Sequence, residues 1–396
     1  MLDFEQARSR ILQHAPLLPA ESVAVGEALH RVTAKDIAAE QAVPEADTSA
    51  MDGYALALSD LPRQLPAWLP VSGESRAGAA WERLASHTAC RIFTGALLPA
   101  GADCVILQED VQRSGDLIEI SELPLPGQHV RLAGCDVSVG QIAVRRGTRL
   151  DGFAVGALAA LDQSHVEVSR RPRVTILCTG DELRAPGSAR RRGTIPESNG
   201  AALSSLATIA GAEPTVAPLV GDDEKRTATE IERALGEADV LLTVGGVSVG
   251  DHDVVRDALK RAGASIEFWK VRIKPGKPLV FARRGDTLVL GLPGNPVSSQ
   301  ITFGLFGLPL LRRMQGQMDV LPRPSWGVLD APLKQRSGRL VFHRVRVDGE
   351  RVLPLPNQSS GSALSLTEAD ALALGPVDSE GLPAGARVEL LHLDRL

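Results

Sequence analysis

The sequence predicts a multidomain chain of mixed class: a doubly wound α/β domain, a β-rich N-terminal region before it and a small C-terminal β-barrel after it. Three observations carry that reading. The apolar runs Val174-Thr175-Ile176-Leu177-Cys178, Val240-Leu241-Leu242-Thr243-Val244 and Leu288-Val289-Leu290 lack two-residue alternation, as strands buried on both faces do. Helix-forming stretches at 201–210, 225–235 and 254–262 are interleaved with them. Short apolar segments broken by Gly, Pro and Ser fill 47–136 and the region after 322, the texture of β-rich domains.

In chain order, Asp3 is placed to cap a helix running through Leu12, which Pro16 and Pro19 end. A second short helix is expected over 25–29 and a third over 152–161. Residues 1–46 together with 137–167 are read as one mixed, largely helical N-terminal domain, and 47–136 as a β-rich domain with strands at 105–107 and 117–120. The α/β domain is assigned to 168–322. In 323–396, residues 340–347 alternate partly, Asp348-Gly349 is a hairpin signal, and 388–391 supplies a strand to close the barrel.

Composition narrows the function classes. The 396 residues are 44% hydrophobic and 23% charged, as in ordinary globular proteins. A net charge of −5 gives no electrostatic case for nucleic acid or an acidic membrane. The densest basic run, Arg190-Arg191-Arg192, reads as a solvated loop. Four cysteines without a CxxC pair argue against structural zinc and a disulfide framework. The acidic start, Met1-Leu2-Asp3-Phe4-Glu5, lacks an apolar signal region, and no apolar run is long enough to span a bilayer. The chain is therefore expected in the cytoplasm.

The chemistry-bearing segments fall at the ends of the three apolar runs, where ligands of open α/β sheets bind. Thr179-Gly180-Asp181-Glu182 follows the first. Gly245-Gly246-Val247-Ser248-Val249-Gly250 follows the second, and such a loop offers backbone N–H groups to an oxyanion. It is neither a Walker A loop nor GxGxxG, and its plain alternative is a tight turn. Six carboxylates cluster nearby: Asp181, Glu182, Asp222, Asp223, Asp251 and Asp253. Carboxylates beside a phosphate-compatible loop suit Mg²⁺, although some of them must serve as helix caps. Prolines fix the two cations of Lys274-Pro275-Gly276-Lys277-Pro278. Gly291-Leu292-Pro293-Gly294-Asn295-Pro296-Val297-Ser298 leaves the third strand and enters a helix with Pro296 placed as its first residue. Near the N-terminus, Ser49-Ala50-Met51-Asp52-Gly53-Tyr54-Ala55 holds the only tyrosine and a turn that presents one carboxylate.

Taken in order, SAMDGYA, the Thr94-Gly95-Ala96…Gly101-Ala102-Asp103 segment, TGDEL, GGVSVGDHD, KPGKP, GLPGNPVS and Gln358-Ser359-Ser360-Gly361-Ser362 resemble the molybdopterin molybdenumtransferases, the family of bacterial MoeA and the gephyrin E domain. The likeness covers nearly the whole chain. It implies a MogA-like α/β domain and Mg²⁺-dependent insertion of molybdenum from molybdate into adenylylated molybdopterin, with release of AMP. Carried over residue by residue, it implies catalytic roles for Asp52, Thr94, Asp136, Glu182, Asp222 and Asp253. Glu182, Asp222 and Asp253 become the Mg²⁺ ligands. Gly245, Gly246, Ser248, Lys274, Lys277, Pro293, Pro296, Ser298, Arg344 and Ser360 become substrate contacts, with Lys274, Lys277, Ser298, Arg344 and Ser360 around the molybdate. It also implies a homodimer, and as further partners the molybdopterin adenylyltransferase and apo-molybdoenzymes. One departure is visible: Cys135 stands where the family usually has Glu in Gly134-Cys135-Asp136. Two other classes stay open, the related molybdopterin adenylyltransferase and a non-catalytic scaffold.

Overall fold

The computed structural model describes residues 1–62, 64–79, 83–246 and 254–396. Helix α1, Phe4–Gln13, begins where expected because Asp3 and Gln6 form a reciprocal capping box. Its buried face, Phe4, Ala7 and Ile11, does not join the residues around 137–167, where the sequence reading put it. It packs on the α/β domain and the neighbouring barrel, with Phe4 edge-on to Phe306 of the first at 5.4 Å and to Phe342 of the second at 5.3 Å. The small N-terminal unit is built from Ala20–Ala24 paired antiparallel with His165–Ser169, and from Ile37–Ala38 paired with Ile142–Val144. Helix α2, Gly152–Ala160, closes it. The short helix expected over 25–29 is a single 3₁₀ turn at Val25–Glu27, whose flanking Val25 and Ala28, three apart, both bury.

The β-rich unit is a six-stranded sheet among the described residues. Its strands are β1 Gly53–Leu56, β2 Ala67–Ser75, β3 Ala89–Ile92, β4 Cys104–Leu107, β5 Val111–Ser114 and β6 Leu117–Ile120, in the order β4-β1-β3-β2-β6-β5. Asp52 sits in the turn that enters β1, the second strand from one edge.

The α/β domain confirms the expected class. Strands β7 Arg173–Cys178, β8 Glu213–Val216, β9 Val240–Val244, β10 Ser265–Lys270, β11 Pro278–Arg284 and β12 Thr287–Leu292 form one sheet in the order β8-β7-β9-β12-β11-β10. The first four in that order run parallel, and β11 and β10 add an antiparallel edge. Alternate residues of β9 feed opposite cores. Val240, Leu242 and Val244 pack with α3, Asn199–Ile209, and with the helical stretch that starts as α6, Pro296–Thr302. Leu241 packs with α4, Glu224–Glu237, and α5, Val254–Arg261. Two-sided burial is what the unalternating apolar runs encode. The chain leaves β7 toward β8 and leaves β9 toward the opposite edge, so the crevice between β7 and β9 is the switch point of the sheet.

The C-terminal unit closes into a five-stranded barrel. Strands β13 Ser325–Leu329, β14 Leu340–Asp348, β15 Arg351–Pro354, β16 Ala371–Gly375 and β17 Arg387–His392 run in the ring β14-β15-β13-β17-β16, which β14 and β16 complete. Asp348 pairs with Arg351 across the expected hairpin. A two-residue strand of the α/β domain, Ile273–Lys274, pairs parallel to Leu340–Val341 of β14 and ties the barrel to the Lys-Pro loop. Among the described residues no helix is long and apolar enough to cross a membrane.

One buried polar cluster on the barrel has a pH signature. The imidazole of His343, 6% exposed, meets Gln335 Oε1 at 3.2 Å through Nε2. The amide of Gln335 donates to the Pro376 carbonyl, which turns its oxygen toward the ring and assigns the imidazole proton to Nε2. Burial first, and then the Lys274 and Arg344 charges, push His343 from 6.5 down to about 4. The native imidazole therefore stays neutral while the unfolded chain takes up a proton near 6.5. Its contribution to stability is complete above pH 6.5 and is lost as the pH falls toward 4, by roughly 3 kcal/mol. Urea unfolding at stepped pH should show this acid slope, and it should be shallower in His343→Gln. Parallel curves for the two proteins would show that His343 does not titrate as described.

Candidate functional site

The carboxyl ends of β7, β9 and β12 converge. Gly245 and Gly246 have φ of +89° and +62°, where only glycine is relaxed, and each lies too close to neighbours to carry a side chain. A Cβ on Gly245 would meet the Thr179 carbonyl after β7, and one on Gly246 would meet Val255 of α5. Gly294, after β12, approaches Gly245, and its carbonyl accepts the Asn199 side-chain N–H at 2.9 Å. The glycines of these loops are thus demanded by packing as well as available to a ligand. Ser248 and Asp253 lie outside the described residues.

The acidic groups separate by role. Asp223 caps α4, accepting the N–H groups of Lys225 and Arg226. Asp181 accepts the Asp222 N–H at 3.0 Å and so fixes the turn after Val220. Glu182 and Asp222 are exposed, on neighbouring strand ends linked by the Thr179–Val220 bridge. Among the described residues no group of three carboxylate, histidine or cysteine side chains forms a metal cage. Two carboxylates with open faces nevertheless fit the habit of Mg²⁺, which keeps waters and substrate oxygens in its shell.

The five residues expected around an oxyanion do come together. Lys274, Lys277, Ser298, Arg344 and Ser360 line one cavity of about 490 Å³ between the Lys-Pro loop, α6 and the barrel. No Asp or Glu is among its described lining residues. Arg344 is 1% exposed. Its Nη2 donates to the carbonyls of Asn357 at 3.0 Å and Ser359 at 3.2 Å, and its Nε–H is buried without a partner. Burial alone lowers the guanidinium from its ordinary value. A buried cation that meets carbonyls and no carboxylate is built to receive an anion. Backbone bonds set the geometry. Gln358 clasps the Arg344 backbone from both sides, at 3.0 and 2.9 Å. Ser360 accepts the Val297 N–H through its carbonyl, and the Asn295 amide through Oγ, each at 3.1 Å. Pro296 opens α6 as its first residue, and Pro293 lies in the preceding turn, so one short segment joins the glycine loops to the cation cavity. Gly276, at φ +102°, packs on Thr302 of α6 and brings the two lysines onto that helix.

The remaining expected residues lie on the β-rich unit. Asp52 Oδ1 accepts the N–H and the hydroxyl of Thr94, both at 2.8 Å. Those two bonds, backbone first, hold the Asp52 carboxyl below its ordinary value. Asp136 pairs with Arg131 at 2.5 Å, and the Cys135 thiol lies 3.9 Å from its other oxygen. Asp52, Thr94 and Asp136 therefore belong to a different unit from the acid pair and the cations. Sequence reading missed the cavity residues Lys334, Gln335, Arg339 and His343. Lys334 and Gln335 come from the strand Leu333–Ser337, which carries no motif, whereas Arg339 precedes β14 and His343 lies on it, next to the Arg344 that the sequence singled out.

Known proteins agree along the whole chain. A family model described as the MoeA N-terminal region (domain I and II) matches residues 2–161, a probable molybdopterin binding domain matches 175–313, and the MoeA C-terminal region (domain IV) matches 327–393. A molybdopterin molybdenumtransferase of Haemophilus influenzae is 38% identical over 87% of this chain and 85% of its own length. A molybdopterin molybdenumtransferase 2 of Mycobacterium tuberculosis is 33% identical over 94% and 95%. The crystal structure of a molybdopterin biosynthesis MoeA protein from Pyrococcus horikoshii superposes with a TM-score of 0.86 at 30% identity, covering 99% of both chains. The chain belongs to the molybdopterin molybdenumtransferase family.

Proposed function

We propose that this protein completes a molybdenum cofactor by inserting molybdenum from molybdate into adenylylated molybdopterin, with release of AMP. One observation supports it above the others: the cavity around buried Arg344, with Lys274, Lys277, Ser298 and Ser360 on its walls and no acid among its described lining residues. Molybdate is a tetrahedral dianion. A planar guanidinium, two ammonium groups and two hydroxyls can surround four oxygens and offset two charges. Transfer also brings this dianion against the negative diphosphate of an adenylylated substrate, and fixed cations lower that repulsion. The substrate carries its own sulfurs, so no protein thiol has to act as ligand.

Glu182 and Asp222, with Asp253, would hold Mg²⁺, whose chemistry is to offset phosphate charge. Gly245, Gly246 and Ser248 would receive the phosphate-bearing end of the substrate. Asp52 and Thr94, with Asp136, would face that end from a second subunit, so that a homodimer builds two equal clefts. The adenylyltransferase alternative accounts for the α/β domain and leaves the β-rich unit and the barrel without a role. A scaffold alone leaves the buried cation without one. Supply of substrate by an adenylyltransferase and delivery of product to apo-molybdoenzymes complete the proposal. A cytoplasmic setting fits it, since all four cysteines are free thiols.

Three outcomes check these assignments. Arg344→Ala should lower the unfolding temperature and, in the folded protein, require about tenfold or more molybdate for half-maximal AMP release; an unchanged requirement would remove Arg344 from the anion site. Asp222→Asn should weaken Mg²⁺ binding by calorimetry and raise the Mg²⁺ needed for AMP release; identical titrations would exclude Asp222 as a ligand. Inactive Asp52→Ala and inactive Lys274→Ala proteins, mixed under subunit exchange, should recover part of the activity through one intact cleft per hybrid dimer. Mixtures that exchange and stay inactive would show that each cleft is built from one chain.

A further inference from the structure

We propose that Arg91 is a positioning residue for the reaction: it holds the turn that presents Asp52 and fixes a positive charge beside that carboxylate. The proposal rests on the reading of Asp52 as an active-cleft residue given above.

Arg91 stands on β3 directly across from Tyr54 of β1. Its guanidinium lies between two rings, 5.1 Å from the centre of Tyr54 and 4.9 Å from that of Phe93. Nη1 donates to the Gly53 carbonyl at 3.0 Å, and Nη2 donates to Gln108 Oε1. The Gln108 backbone N–H in turn donates to the Asp52 carbonyl at 3.2 Å. Both carbonyls of the Asp52–Gly53 step are therefore held, one by Arg91 and one by a residue that Arg91 grips. On the other side Gly53 packs so closely on the Ile106 carbonyl that no side chain fits there. Thr94, next after Phe93, then fixes the carboxylate itself.

Some arginines of the chain meet a carboxylate, as Arg170 and Arg173 do at Asp239, and others, Arg149 and Arg284 among them, donate to a backbone carbonyl. Arg91 is held by a backbone carbonyl, a side-chain amide and two ring faces, none of which cancels its charge. Its charge also reaches the Asp52 carboxylate, whose ionised form it favours as a smaller cause than the two Thr94 bonds. In open solvent that coupling is screened. It grows when a bound substrate excludes water, and that is when a second negative group approaches Asp52.

The test uses the full chain and three variants, Arg91→Met, Arg91→Lys and Asp52→Asn. Carbon-13 NMR of labelled aspartate, with Asp52→Asn to assign the signal, reads the Asp52 titration midpoint; AMP release gives kcat and KM. Arg91→Met should raise the midpoint and lower kcat about tenfold, with the KM for molybdate changed less than about twofold. Arg91→Lys should return the midpoint toward the wild-type value and recover part of kcat. If Arg91→Met does not fold, as judged by thermal melting, Gln108→Ala takes its place: it keeps the backbone N–H, removes the Arg91 anchor, and should shift both readouts the same way by less. An Asp52 midpoint or a kcat that stays at the wild-type value overturns the proposal. Full AMP release by Asp52→Asn would instead overturn the role of Asp52, and the role of Arg91 would fall with it even if the midpoint moved.

Discussion

The site depends on one short pairing, Ile273–Lys274 laid parallel to Leu340–Val341. Those two residues of ladder bring the Lys-Pro loop of the α/β domain against the barrel strand that carries Arg344. The lysines and the arginine are some seventy positions apart in the chain, and like charges would separate freely if nothing tied them. The ladder, the Ser360 loop on α6 and the contact of Gly276 with Thr302 supply that tie with neutral groups. Repulsion among the cations is thus held in the folded state and is available to a bound anion. The cavity is preorganised in this sense, because the cost of gathering charge is met by folding and not by binding.

The same logic explains what surrounds Arg344. Its partners are carbonyl oxygens, which satisfy N–H groups without cancelling charge. A carboxylate there would stabilise the empty protein and compete with the ligand. His343 next to it is kept neutral by burial, so it adds hydrogen-bonding surface to the wall without another positive charge at neutral pH.

How much of this was legible in the sequence follows from the range of the interactions. The strands β7, β9 and β12 could be read because two-sided burial leaves a continuous apolar run, and the helix at Pro296 because its first-turn signal is local. The glycine loops could be read because φ > 0 and close packing leave a compositional mark. Strands β10 and β11 were not marked, being an antiparallel addition that interrupts the strand-helix alternation. The partner of α1 could not be read either. An amphipathic face states that it needs a cover and does not say which, and Phe4 meets Phe306 and Phe342, some three hundred positions away, and not the nearer N-terminal unit. Lys334 and Arg339 entered the cavity wall only through the folding of the barrel, which has no short motif. Among the acids, the sequence gathered six, and hydrogen bonds separated Asp181 and Asp223, which serve backbone turns, from Glu182 and Asp222, which stay open.

The place of α1 has a consequence for biosynthesis. A ribosome releases Phe4, Ala7 and Ile11 long before it has made Phe306 and Phe342, the rings that meet Phe4, and the rest of the core that the three residues join. The helix can form early, since its capping box is local, but its apolar face has to wait through most of translation. During that interval the β-rich unit and the small N-terminal unit can settle as separate bodies, and the α/β core lacks one of its covers. Docking of α1 is then a late event that closes the core from the opposite end of the chain. A nascent chain stalled before Phe306 would carry an unsatisfied amphipathic helix, the kind of segment that chaperones retain and that neighbouring nascent chains can capture by mistake.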